Sequence, residues 1–267
     1  PPNIRWVFYQ LPHWMRFWYK YPRGERLYYN LWQWGIYPLA KRLHQQIKFD
    51  VVHHLTYCQY WSGSHLSKLP ANFVWGPVGG GEQTPKSFVD HFDTSAKRYE
   101  LLRNIGRITG HFRPVVRASA QRAKAAFGAT PETTTEMSKL GVRNVQTLSS
   151  VALSGADFSV LSSLPPKKSR SLRFISVGRL LHWKGFQLGL EAFARVARDL
   201  PDARYALIGE GPYRDHLTAL ARACGVENQV EFLGNLSREE VFQELAETDA
   251  LVHPSLHESA GMVVLEA

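Results

Sequence analysis

The segment "HESAGMVVLEA", His257 to Ala267, carries two carboxylates, Glu258 and Glu266, eight positions apart around Gly261 and a short apolar run. Carboxylates in such a setting accept hydrogen bonds from sugar hydroxyls. If the segment is helical from about Ser259, eight residues turn through about 800°, or roughly 80° net, and rise at most ~12 Å, so both acids can face one groove at different depths. A capped amphipathic helix with two incidental acids is an equally open reading. Upstream, "GRLLHWKG" supplies Arg179 and Lys184 between Gly178 and Gly185. A guanidinium, an ammonium and a following helix N-terminus suit a diphosphate, whereas each cation taken alone fits a solvated surface.

The elements around these groups alternate between strand and helix. "LRFISVGRL", "RYALIGEG", "VEFLG" and "DALVHPS" read as strands. Between them, "FQLGLEAFARVARDL" places Phe186, Leu190, Phe193, Ala197 and Leu200 on one helical face. "HLTALARACG" is a helix closed by Gly225, and Ser237 with Glu240 forms a capping box at the start of "SREEVFQELAET". This alternation implies βαβ crossovers and a parallel sheet. Ligands of such sheets sit beyond the carboxyl ends of the strands, so "GRLLHWKG", "GEGP", "GNLS" and "PSLHESAG" are expected on one edge.

The first half is read the same way from weaker signals. Leu31, Trp34, Leu39 and Leu43 have roughly helical spacing between Tyr28 and Gln46, with Pro38 a kink or boundary. "FDVVHHL", "NFVWGP" and "VQTLSSVAL" read as strands and "SAQRAKAAF" as a helix. "GPVGGGE" lacks the GK[ST] ending of a nucleoside-triphosphate loop; it reads either as backbone lining an interdomain cleft or as a tight strand-to-helix turn. "SSLPPKKSR", residues 162–170, is the best linker, which divides the chain into domains 1–161 and 171–267.

At 267 residues and 44% hydrophobic content the chain can fill two α/β cores. A formal charge of +9 favours an anionic partner: a phosphorylated small molecule, an acidic membrane surface or nucleic acid. The basic residues are scattered and form no nucleic-acid module, which argues against the last. Trp6, Trp14, Trp18, Trp32, Trp34 and Trp61, mixed with basic residues, suit either a bilayer interface or the core-facing side of helices. Cys58 and Cys224 have no spacing for a disulfide framework or a zinc site, consistent with a reducing cytosol. Neither a leader nor a spanning segment is visible, and both ends read as cut.

"VGRLLHWKG", "LIGEGPYRDHL", "VEFLGNLSREEV" and "LVHPSLHESAGMVVLEA", in this order and spacing, resemble the donor half of retaining family 4 glycosyltransferases (glycosyl transferases group 1) of GT-B fold. The resemblance implies two Rossmann-like doubly wound domains facing a cleft, both incomplete in this chain. It implies that Arg179 and Lys184 bind the nucleotide diphosphate, that Glu258 holds the donor sugar and Glu266 the ribose, and that backbone amides around Gly261, Met262 and Val263 serve sugar and phosphate. Ala260 stands where the family usually has Phe, a change that would widen the sugar pocket. More loosely, "FDVVHHLTY" resembles the family's "DVVHxH" strand, whose second His position is Leu55 here. His53 and His54 precede it, and neighbouring strand residues point to opposite faces, so at most one reaches an active site.

The implied reaction moves a hexose-like sugar from a nucleotide-sugar to an acceptor hydroxyl with retention, by front-face substitution needing neither a dedicated base nor a metal or other cofactor. Expected partners are the donor, a glycan or lipid-linked acceptor and an anionic membrane surface. The expected setting is cytoplasmic, peripheral on the inner face of the membrane, in cell-surface polysaccharide, lipid-linked glycan or glycolipid synthesis. The chain as it stands is expected to be inactive. The alternatives are a GT-B nucleotide-sugar epimerase and a non-catalytic nucleotide-sugar binder.

Overall fold

The computed structural model describes residues 3–20, 24–55, 59–90, 92–165, 167 and 171–267. Cys58 lies outside them, as do residues 166 and 168–170 of the expected linker. The chain forms two compact units, Pro1–Gly81 with Leu102–Leu148, and Glu82–Leu101 with Ser149–Ala267. This division differs from a break at 162–170, and side-chain contacts give the reason. The helix Gly155–Ser163 is fastened to the second unit by an Asp157–Arg238 ion pair of 3.2 Å. Lys167 is paired with Asp249, and Glu82, Tyr99 and Glu100 make second-unit contacts described below.

In the first unit, β1 (Val51–His54), β2 (Asn72–Val78), β3 (Ala123–Gly128) and β4 (Val145–Thr147) form a parallel sheet in that order. Trp61, Phe73, Trp75, Val116, Ala126 and Met137 build its core. "SAQRAKAAF" is not one helix: the helix Pro114–Arg122 stops and the alanine-rich remainder is β3. Ala126 pairs with Trp75 on one side and Val145 on the other at zero exposure, so burial in the sheet overrides alanine's helical preference. Of "VQTLSSVAL" only Val145–Thr147 is strand.

The long helix Glu25–Ile47 runs through Pro38. Its buried residues are Gln33 and His44, while Trp34, expected on the apolar face, is exposed. Gln33 tolerates burial because its amide donates to Gly63 O (3.1 Å) and Tyr29 Oη (2.9 Å) and accepts from His65 N–H (3.4 Å). The core reading of the early tryptophans also fails for three of the six: Trp61 is buried and Trp18 and Trp32 are half-buried, whereas Trp6 and Trp14, like Trp34, are exposed, at 73% and 71%.

In the second unit, β5 (Arg173–Val177), β6 (Arg204–Ile208), β7 (Val230–Gly234) and β8 (Ala250–Leu251) are parallel, in the spatial order β7-β6-β5-β8. The helix Phe186–Ala197 buries Phe186, Leu190, Phe193 and Ala197 as its periodicity predicts; Leu200 falls beyond its end and is exposed. Arg214–Ala223 is closed at Gly225, and the Ser237/Glu240 capping box holds the start of Arg238–Ala246. Among the described residues no helix is long and apolar enough to cross a membrane.

Candidate functional site

Because β5 to β8 are parallel, the loops that follow them leave from one edge. The chain moves outward from β5 through β6 to β7, then returns to add β8 on the other side of β5. The reversal falls between β5 and β8, and in open α/β sheets the crevice at that point is where ligands bind. The loops after these two strands carry Lys184 and Glu258.

Backbone contacts fix the loops. Gly185, at φ +69°, lies against the β8 loop so closely that a Cβ there would be 2.0 Å from Pro254 O. Leu256 N–H donates to Trp183 O at 2.8 Å. Gly209, at φ +126°, approaches the β5 loop in the same way, its hypothetical Cβ 2.0 Å from Gly178 O. Beneath them, the Ser176 hydroxyl donates to Val252 O (2.5 Å) and accepts from Tyr205 (2.7 Å). Burial pushes the Tyr205 phenol up to about 12, against the opposing effect of its bond with Ser176.

This scaffold joins Lys184 Nζ to Glu258 Oε2 in a direct ion pair. Glu258 Oε1 accepts from Ala260 N–H at 3.3 Å, and Ser255 Oγ lies 3.5 Å from Oε2. Burial pushes the Glu258 carboxyl up, but the bond and charge of Lys184, the Ala260 amide and His253 outweigh it and hold the group below its ordinary range. His253, which nothing in the spacing singled out, places Nε2 3.7 Å from Glu258 Oε2 without a hydrogen bond among the described residues. Burial holds its ring below the ordinary histidine value; Glu258 opposes that shift and Lys184 adds to it. Arg179 is exposed, with no side-chain hydrogen bond or ion pair among the described residues.

The terminal helix begins at Met262, not near Ser259, and spans Met262–Glu266. Ser259 is not its cap: its hydroxyl donates to Glu82 Oε2 at 2.8 Å, while the Ala260 amide turns back to Glu258 and Ala260 O accepts from Met262 N–H at 3.1 Å. The continuous-helix geometry for the acidic pair therefore does not hold. Gly261 faces Glu258 and His253 in ordinary contact, and Val263 is buried. Glu266 bonds to Arg238 Nη2 at 3.1 Å and lines a cavity of about 360 Å³ with Phe158, Phe242 and Leu265. Each acid thus has its own cation: Lys184 for Glu258 and Arg238 for Glu266.

The two histidine candidates stand in the first unit. His53 Nε2 is 2.7 Å from Gly76 O, and buried His54 is 3.4 Å from Tyr29 Oη. Of "GPVGGGE", Gly76 to Val78 belong to β2 and Gly79 extends it by a bridge to Gln59, so the segment is not a strand-to-helix turn; beyond it the Gly81 N–H donates to Thr133 Oγ1 at 2.9 Å. Glu82 and Glu100 belong to the second unit and were not legible as site residues, since their contacts lie 177 and 82 positions away in sequence. Among the described residues no group of three or more His, Cys, Asp or Glu could hold a metal ion.

With this geometry established, the two parallel-sheet units have the α/β fold of GT-B glycosyltransferase structures. Sucrose-phosphate synthase from Thermosynechococcus elongatus matches 99% of this chain and 66% of its own at a TM-score of 0.63 and 17% identity. HepE of Anabaena, solved in complex with UDP and glucose, matches 93% of this chain and 62% of its own at a TM-score of 0.57 and 16% identity. Residues 163–267 match the family described as Glycosyl transferases group 1. Over 93 residues the chain is 40% identical to the sulfoquinovosyl transferase SQD2 of Arabidopsis thaliana, covering 35% of this chain and 17% of that protein's length.

Proposed function

We propose that the second unit binds a nucleotide-sugar and that the protein transfers the sugar to an acceptor hydroxyl with retention, as a family 4, hexosyltransferase-like enzyme. The observation that carries this reading is the Lys184–Glu258 pair at the point where the strand order reverses. Exposed Arg179 and the Lys184 ammonium are the groups for the diphosphate. When a diphosphate takes Lys184, the Glu258 carboxylate is released to accept hydrogen bonds from the sugar hydroxyls. Backbone at Gly261, Met262 and Val263 lies beside the same carboxylate, and Glu266 is the ribose ligand in exchange for Arg238.

The reaction needs charge stabilisation on the departing diphosphate, which the two cations supply. Glu258 orients the sugar and does not attack it. Retention follows from front-face substitution, in which a leaving phosphate oxygen takes the acceptor's proton; no step requires a metal, and neither His53 nor His54 is assigned a role in the chemistry. SQD2, by its name, transfers sulfoquinovose, and HepE holds UDP and glucose; both support a sugar-nucleotide donor here. The exposed tryptophans and net positive charge support a glycan or lipid-linked acceptor presented at an anionic membrane surface on the cytoplasmic side.

The test is a thermal-shift screen of the full chain against UDP-, GDP- and ADP-sugars. One nucleobase class should raise the melting temperature, and no shift with any of them would remove the reading. Turnover of donor without acceptor would instead identify an epimerase. For the membrane partner, co-sedimentation should require anionic lipid; binding equally to neutral vesicles would count against it.

A further inference from the structure

Glu258 is held from both sides by one segment distant in sequence. Its C-terminal neighbour, Ser259, donates its hydroxyl to Glu82 Oε2 at 2.8 Å. Its N-terminal neighbour, His257, brings Nε2 to 3.5 Å from Glu100 Oε1, a charge contact without a hydrogen bond among the described residues. The same Glu100 oxygen lies 3.4 Å from His182 Nε2, two positions before Lys184. Tyr99, beside Glu100, stacks on Trp183 at 4.7 Å and 14°, and Trp183 stacks in turn on His257 at 5.6 Å and 11°. Glu82 and Glu100 are buried, at 6% and 3% exposure. Carboxylates are seldom buried this deeply without a specific demand on their geometry.

We propose that Glu82 and Glu100 are positioning residues for the donor site: the segment Glu82–Leu101 clamps the β5 and β8 loops so that Lys184 and Glu258 stay side by side, ready for the two ends of one ligand. Glu100 acts through His182 and His257, which flank the pair, and Glu82 acts through Ser259. Neither carboxylate bonds to Lys184 or Glu258, so each sets the position of the site without contributing a ligand. The arrangement has the form of an outer layer of polar contacts locking the rotamers of the groups that touch the substrate. Its consequence for specificity is that the sugar end of the donor, which Glu258 would hold, depends on the clamp more than the diphosphate end does. This last point rests on the proposed function; the clamp itself rests on the contacts alone.

The experiment uses Glu82→Ala, Glu100→Gln and Glu100→Asp in the full chain with two readouts. Hydrogen–deuterium exchange should speed up in residues 253–261 and 179–184 in Glu82→Ala and Glu100→Gln, with β5 and β6 unchanged. Unchanged exchange in those loops would overturn the clamp. In calorimetric titrations with UDP, GDP and ADP and with their glucose conjugates, both variants should weaken the sugar-nucleotide by roughly tenfold while leaving the bare diphosphate within about twofold. Glu100→Asp should recover part of the loss. Equal weakening of diphosphate and sugar-nucleotide would indicate a merely structural role and overturn the assignment. If the loops loosen but the wild type binds none of the six ligands, the clamp stands and the nucleotide-sugar reading fails.

Discussion

The two sheets of this protein have four described strands each, all parallel, yet they differ in how the chain orders them. The first advances steadily, β1-β2-β3-β4, whereas the second turns back, β7-β6-β5-β8. Only the second therefore has, among its described strands, neighbouring loops that diverge around a crevice, and that is where Lys184 meets Glu258. In the first, His53 and His54 sit on a strand followed by its sequential neighbour, with local partners in Gly76 and Tyr29. The lesson is that an ionisable residue in a parallel sheet reaches such a crevice mainly through topology. Residue type alone did not separate the histidines of β1 from His253 of the β8 loop.

That contrast can be broken first at the glycines. Gly209→Ala would force a Cβ to 2.0 Å from a backbone carbonyl at positive φ and should cost roughly 4 kcal/mol, or prevent folding. Gly141→Ala, at φ +87° in the first unit with nothing within 4 Å of the added carbon, should cost only about 1 kcal/mol. Denaturant titration of both variants checks the difference, and equal costs would mean that the loop stitching carries no special weight. Next, Leu190→Ala in the second unit's core should lose about 3 kcal/mol. Trp34→Ala, on the long helix of the first unit, should stay within about 0.5 kcal/mol despite removing a larger side chain.

The smallest expected effect is a pH dependence to which His253 contributes in the second unit, as His65, whose ring burial also holds down, does in the first. The folded value of His253 is depressed, so the unfolded chain takes up protons first as the pH falls. The stability from keeping the ring neutral is full above the unfolded value of 6.5 and is lost as the pH falls through the folded one. The depressed Glu258 adds a similar contribution, present above 4.5 and lost below it. Melting temperature followed from pH 7.5 to 5.5 should decline less in His253→Asn than in the wild type; parallel curves would show that the ring does not titrate differently on folding.

Legibility in the sequence follows the same division. The helix Phe186–Ala197 and the Ser237/Glu240 capping box were readable because their signals are local, a 3.6-residue period and a three-residue spacing. "SAQRAKAAF" misled because alanine supports a helix locally while its burial in β3 is set by β2 and β4. Gln33 could not be marked as buried, since its partner Gly63 lies 30 positions away. At the candidate site, motif and spacing mark Arg179, Lys184 and Glu258, and the fold pairs the last two. Glu82 and Glu100 carry no such signal because their partners lie 177 and 82 positions away, and His253 carries none because its burial in the β8 loop follows no period.

The central claim is that the Lys184–Glu258 pair is the heart of a nucleotide-sugar site. Isothermal titration of whichever sugar-nucleotide the screen selects, against wild type, Lys184→Ala, Glu258→Ala and Trp34→Ala, tests it most directly. The expected result is a loss of at least about tenfold in affinity, some 1.4 kcal/mol, for each of the first two variants and none for the third. Wild-type affinity in both Lys184→Ala and Glu258→Ala would contradict it.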